Sequence, residues 1–301
     1  MRASKAVSWV SRRRFLTCGG GVMASAAVLN FAAPEVFPAS EPKRGGFSPS
    51  RLKATSAAMQ GLVARGEAAG MVTALYRHGA LAYWEAFGWQ DREAGIRMRP
   101  DAIFRIASMT KPLIAAATLT LVDEGALALN DPVEKFLPEL ANRQVLQDPG
   151  GSLDATTPAT RPMRLVDLLT HHSGLTMGIP AKANPESPQA KWPLTHAMIE
   201  ADKARSAGPD AWLKELARLP LAYEPGTQFN YGISFDLLGV LLARASGMSL
   251  PDFMRTRLFE PLGMKDTAFQ VPTEKHEWRH AYRRAIFHLS RWTRGARIAA
   301  C

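Results

Sequence analysis

Cysteine is almost missing from the 301 residues: Cys18 lies near the start of the chain and Cys301 ends it. If the first stretch is removed as a leader, one cysteine remains, and no disulfide within the chain can brace the fold. A long apolar run is missing as well. The Gly/Ala-rich segment over 18–33 is too short for a membrane span. Internal repeats and low-complexity tracts are absent, which excludes solenoids and arrays. The body also lacks net charge, although the whole chain carries a formal +10. Residues 1–45 hold seven Lys/Arg against two Glu and residues 274–301 hold another seven against two, which leaves 23 basic and 23 acidic residues between them. A neutral body with two basic ends excludes a nucleic-acid-binding domain, and no nucleic-acid partner is expected. What the sequence does have is 47% hydrophobic residues, enough for a real core in one large domain or two small ones.

The basic start has its own explanation. Ser11-Arg12-Arg13-Arg14-Phe15-Leu16-Thr17 precedes the apolar run, and the arrangement resembles a twin-arginine export signal. It implies an exported protein, periplasmic or secreted, whose partner in transit is the twin-arginine machinery, with no stable membrane span once the signal is gone. No clean A-x-A cleavage site follows, and Cys18 precedes the apolar run instead of closing it, which argues against lipid attachment. The expected organisation is a signal and linker over 1–45, a hydrolase-like domain over 46–273 and a basic tail over 274–301.

Along the body, Leu52, Ala58, Met59, Leu62 and Val63 fall at helical spacing over 48–67, with Gly70 expected to close the helix. Two β-like runs, 71–77 and 81–88, flank His78-Gly79-Ala80 and predict a hairpin. From 108 to 125 the pattern is that of a buried helix. Segments 143–162 and 178–193 are rich in loop-forming residues around a short helix at 165–170, and helices are predicted at 210–218, 235–245 and 250–258. Trp84, Trp89 and Phe104 read as core.

In Ser108-Met109-Thr110-Lys111 a hydroxyl and an amine stand three residues apart, so a helix places both on one face. A serine hydroxyl is inert until its proton is taken, and a lysine desolvated by a largely apolar helix can act as base or relay. Ser108 at a helix start also meets the positive end of the dipole, and Pro112 is tolerated in a first turn. Three blocks extend this pattern. The first is Phe104-Arg-Ile-Ala-Ser-Met-Thr-Lys-Pro-Leu with Leu121-Val-Asp-Glu-Gly and Asn130-Asp-Pro-Val-Glu-Lys; the second is Leu168-Leu-Thr-His-His-Ser-Gly-Leu; the third is Glu224-Pro-Gly-Thr-Gln-Phe-Asn-Tyr-Gly-Ile-Ser with Leu237-Leu-Gly.

Together these blocks resemble the serine β-lactamase and penicillin-binding-protein superfamily, most closely its C-type β-lactamase and carboxylesterase branch, from about residue 48 to 275. The resemblance implies an α+β fold, an antiparallel sheet flanked by helices plus a mainly helical region, and acyl transfer in the cleft between them. It implies Ser108 as nucleophile, Lys111 as its partner and Tyr231 as the tyrosine of the Tyr-x-Asn motif, sharing general acid and base work. Ile233 stands where that motif has Asn, which favours an ester over a penicillin or cephalosporin, though the substrate class stays open among ester, amide and β-lactam. Ser234, one residue on, is a candidate substrate-binding hydroxyl. His171 and His172 read as a hydrogen-bonded structural pair. No cofactor or metal is expected.

After Lys275 the sequence turns Arg-rich and leaves the pattern, before the family's third motif, Lys/His-x-Gly, is reached. The expectation is a truncated or frame-shifted chain that lacks the C-terminal strands and closing helix, and whose activity suffers because one oxyanion-hole N–H typically contributes about 100–1000-fold in rate. The alternative is a catalytically silent acyl-binding or penicillin-recognising module. A more distant reading rests on His276-Glu277-Trp278-Arg279-His280, the His-Glu-x-x-His of zinc proteases. A catalytic zinc needs a third ligand; Glu277 is the last acidic residue, and Ile286 occupies the position where a metzincin histidine would fall.

Overall fold

The computed structural model describes residues 42, 45–178 and 186–279. The stretch read as an export signal, His280 and Cys301 lie outside them. Helix α1, Pro49–Ala64, opens with proline in its first turn, where the missing N–H has no helical acceptor to lose. It ends earlier than Gly70 because Gly66 takes φ 74° and the chain turns there, with Gly66 N–H donating to Val63 O and Glu67 N–H to Leu62 O. Gly70 instead begins strand β1, Gly70–Arg77, which pairs antiparallel with β2, Ala80–Asp91. His78 and Gly79 both have positive φ, 51° and 70°, as the tight hairpin turn between twisted strands demands. A short third strand, β3 at Ile96–Arg97, pairs with the far edge of β2, so the sheet runs β1-β2-β3 and has one strand more than the predicted hairpin. Leu52 of α1 packs on Tyr83 and Phe87 of β2, and Met59 and Val63 border this small core.

Trp84 and Trp89 are only half-buried and Phe104 is 38% exposed, so the expected aromatic core is replaced by Tyr83 and Phe87. Trp89 lies against solvent-side charge instead, with the Arg97 guanidinium 4.0 Å from its ring centroid.

The larger core lies in the helical part. Helix α2, Thr110–Asp123, follows a 3-10 turn at Ala107–Met109. Strands β4 (Gln144–Leu146) and β5 (Thr156–Pro158) form a two-stranded ladder inside a segment that reads as loop, extended by a bridge from Val145 to Leu221. Helix α3, Leu165–Leu169, is capped by Asp167, which accepts from Arg164 N–H at 2.8 Å and pairs with both Arg161 terminal nitrogens. Helix α4, Pro193–Asp202, went unpredicted, although Pro193 at its first turn and Leu194, Met198 and Ala201 on one face are its signals. Helix α5, Pro209–Ala217, and helix α6, Ser234–Ser246, match their predicted places within a residue or two. α6 runs through the centre, with Leu237, Leu238, Leu241 and Leu242 fully buried around Trp212. The last predicted helix is shorter than expected: α7 covers Leu250–Met254 and continues as a π-helical turn over Arg255–Phe259. Among the described residues no helix is long and apolar enough to cross a membrane. The mixed helices and antiparallel strands match the expected α+β class.

Candidate functional site

Ser108 sits inside the 3-10 turn, not in the α-helix proper. At three residues per turn, side chains three apart eclipse, so Lys111 at the head of α2 stands directly over the serine. Lys111 Nζ donates to Ser108 Oγ at 3.1 Å. Ala107, just before the serine, holds φ 44°, a left-handed value that alanine seldom takes. Met109 N–H closes the turn on Ile106 O at 2.8 Å. Pro112 occupies the first turn of α2 as anticipated. Lys111 is half-buried, less sheltered than an apolar helix alone suggested.

The third predicted residue arrives from far along the chain. Tyr231 Oη lies 2.8 Å from Ser108 Oγ, and Lys111 Nζ is 4.7 Å from the Tyr231 ring centroid. Burial pushes the Tyr231 phenol up, but the Lys111 ammonium and the Ser108 hydroxyl outweigh it and hold the phenol below the usual tyrosine value.

What brings Tyr231 there is the second block, which acts as a bed for the third. His171 O accepts from Asn230 N–H at 2.8 Å, Leu175 O accepts from the Asn230 side-chain amide at 3.0 Å, and His172 O accepts from Gly226 N–H at 2.6 Å. Gly232 must be glycine because a Cβ there would stand 2.8 Å from the Thr176 carbonyl carbon. Gly174 is equally constrained: at φ 79° its Cβ would run into the Tyr223 carbonyl oxygen. Behind the loop, Asp236 in the first turn of α6 pairs with Arg205 at 3.0 Å, and Arg205 also reaches Asp202 at 2.8 Å and stacks 3.9 Å over Trp212. Sequence reasoning missed this buried network, because nothing in local spacing links residues 202–212 to 236.

Ser234 does not join the site. It is fully buried, and its hydroxyl is paired at 2.8 Å with Ser173 Oγ beneath the loop. Ile233 is likewise a core residue at 4% exposure.

The histidines divide. His172 meets the expectation of a structural role, with Nδ1 2.8 Å from Thr170 O. His171 does not: Nδ1 is buried and finds no hydrogen-bond partner among the described residues. No group of three or more His, Cys, Asp or Glu among the described residues is placed to hold a metal ion, and His276 Nε2 lies 3.1 Å from the Val271 carbonyl oxygen.

The chain resembles known proteins over most of its length. Residues 55–297 match the family described as Beta-lactamase, a match that runs past residue 275, where the resemblance read from the sequence ends. The chain is 38% identical over 223 residues to an uncharacterized protein of Mycobacterium tuberculosis, covering 74% of this chain and 53% of that one. It is 36% identical over 208 residues to esterase EstB of Burkholderia gladioli, covering 66% and 47%. The chain thus spans about half the length of the curated relatives it matches. Among solved structures, EstCE1, a hydrolase with promiscuous acyltransferase activity, superposes with a TM-score of 0.62 at 26% identity, over 77% of this chain and 56% of that one. With the motif blocks assembled on one site and most of its length matched, the chain belongs to the Beta-lactamase family.

Proposed function

We propose that this protein is a serine hydrolase that cleaves esters through an acyl-enzyme, with Ser108 as nucleophile and Lys111 and Tyr231 as its proton-handling pair. The observation that carries the reading is the meeting of two such groups on one hydroxyl, at 2.8 Å from the phenol oxygen and 3.1 Å from the ammonium nitrogen. Ser108 Oγ attacks the ester carbonyl carbon as its proton passes to the Tyr231 oxygen, which the Lys111 ammonium has stabilised in its ionised form. The same proton leaves with the departing alcohol. Water then attacks the acyl-enzyme, gives a proton to Tyr231, and frees the carboxylic acid as Ser108 is reprotonated. The backbone N–H of Ser108 itself is the donor that this reading assigns to the tetrahedral oxyanion.

An ester is favoured over an amide or β-lactam for two reasons. The residue two beyond Tyr231 is a buried isoleucine that offers no amide to a substrate, and the similar proteins named above include an esterase. Export through the twin-arginine machinery belongs to the same reading, supported by the Arg12-Arg13-Arg14 run.

Hydrolysis of a short-chain p-nitrophenyl ester by the full-length chain tests the proposal, beside Ser108→Ala and with a chelator. The expected outcome is activity that survives chelation and falls by about 10³-fold or more in the variant. A Ser108→Ala protein as active as the parent would remove Ser108 from the chemistry.

A further inference from the structure

We infer that His171 is a positioning residue for Tyr231, holding the phenol ring in register with Ser108 and Lys111; the inference rests on the ester-hydrolase reading of that trio. The His171 ring lies 4.7 Å from the Tyr231 ring at a tilt of 35°, and its other neighbours are Phe229 at 5.8 Å and Phe235 at 5.1 Å. One imidazole therefore touches three aromatic rings of the segment that carries Tyr231. The backbone of the same residue binds that segment too, through the Asn230 N–H.

His171 holds this place against two penalties. Its φ of 57° is left-handed, and its buried Nδ1 has no partner among the described residues. Packing alone would be served by a ring without a nitrogen, which escapes the second penalty. What an imidazole adds is a ring that stays neutral yet can be charged. The charged and titratable groups facing it are Lys111 from α2, Tyr231 from the loop and His172 beside it; Asp236, next to Phe235, is engaged with Arg205. Burial first, then the positive charge of Lys111 and the neighbouring His172, keeps the ring neutral to lower pH than an ordinary histidine. A neutral ring presses on the phenol and leaves the Lys111 ammonium unopposed. A protonated one places a second cation beside it.

The test uses the full-length chain with His171→Asn and His171→Phe, each with and without Tyr231→Phe. Asparagine accepts a left-handed φ, so His171→Asn removes the ring and spares the backbone; phenylalanine keeps the ring and removes the titration. Phenolate absorbance, taken as the difference from the Tyr231→Phe partner, follows Tyr231 alone among the five tyrosines. In His171→Asn the Tyr231 titration should move up toward the ordinary tyrosine value, and ester-hydrolysis kcat should fall about 10–100-fold with KM changed less than about threefold. In His171→Phe, which keeps a ring against the phenol, the Tyr231 titration and the neutral-pH rate should stay near the parent. A folded His171→Asn protein with an unmoved Tyr231 titration overturns the inference. So does a His171→Phe protein that loses the Tyr231 shift as fully as the Asn variant. If the Asn variant does not fold, the Phe variant decides alone: a Tyr231 titration kept near the parent supports the inference, and one moved to the ordinary tyrosine value overturns it. Failure of the hydrolase reading would show separately, as activity retained in Ser108→Ala, and the titration would still report whether His171 holds the phenol.

Discussion

Ser108 has a phenol and an ammonium within reach and, among the described residues, no carboxylate or imidazole bonded to its hydroxyl, which sets the pH behaviour expected of it. The form of Tyr231 that accepts a proton is the phenolate. Activity should therefore rise with pH through the Tyr231 titration, and because that titration lies below the usual tyrosine value, the rise should come at correspondingly lower pH. Lys111→Met removes the main opposition to burial, so the rise should shift upward and the plateau shrink. A pH series of kcat/KM on a neutral ester reads this directly, and a limb that stays in place in the variant would assign it to another group. The trio was legible in the sequence because residue types at fixed short spacing encode it: Ser108 and Lys111 share a turn, and Tyr231 has its own block. Ser234 and His171 were not legible. Their surroundings, Ser173 and the Tyr231 ring, are set by tertiary packing between two blocks, and no local pattern reports which way either side chain turns.

At the scale of elements, the helices that converge behind the site are tied by charge as well as by leucine. Arg244 of α6 donates to both Glu139 oxygens at 2.8 Å and to Asp210 of α5 at 2.8 Å. The Arg244 guanidinium holds the Glu139 carboxyl below the usual glutamate value, against the opposing effect of burial. A carboxyl depressed in the folded state contributes stability that is present above its unfolded pKa and lost as pH falls through its folded one. Arg244→Leu should cost about 1–3 kcal/mol at neutral pH and flatten the loss of stability on acidification. Urea midpoints collected from neutral pH down past the glutamate range measure both effects, and parallel curves for the two proteins would show that the pair is not the source. Helices α5 and α6 were predictable because their apolar residues repeat at helical spacing. The missed α4 shows the opposite case, a proline-led helix placed directly after a Pro- and Gly-rich stretch whose composition dominated the reading. The 3-10 turn at Ala107–Met109 was hidden for a different reason: apolar spacing over so few residues does not separate 3.0 from 3.6 per turn.

At the scale of the whole molecule, the buried apolar side chains of the described residues form two separate clusters, a large one around α6 and a small one of Leu52, Tyr83 and Phe87 under the sheet. Stability should be distributed accordingly, since opening free energy follows buried apolar contact. Hydrogen exchange is expected to be faster by at least about tenfold over β1 and β2 than over the buried face of α6. Equal protection in both regions would mean that the sheet and the helices open as one unit. The fold class came through the sequence because motif blocks in a set order identify an architecture even where individual strands, such as β3, β4 and β5, are too short to leave a pattern.

The separation of Ser108 from Tyr231 has a consequence in time. The β1–β2 hairpin closes across a two-residue turn, whereas the contact between the two hydroxyls spans 123 residues. Loop-closure entropy delays contacts of such range, so the hairpin forms early and the serine–phenol pair late. A growing chain displays Ser108 and Lys111 long before residue 231 is made. The serine–phenol pairing is thus acquired only with the completed helical core, and an unfinished chain carries Ser108 without its phenol partner.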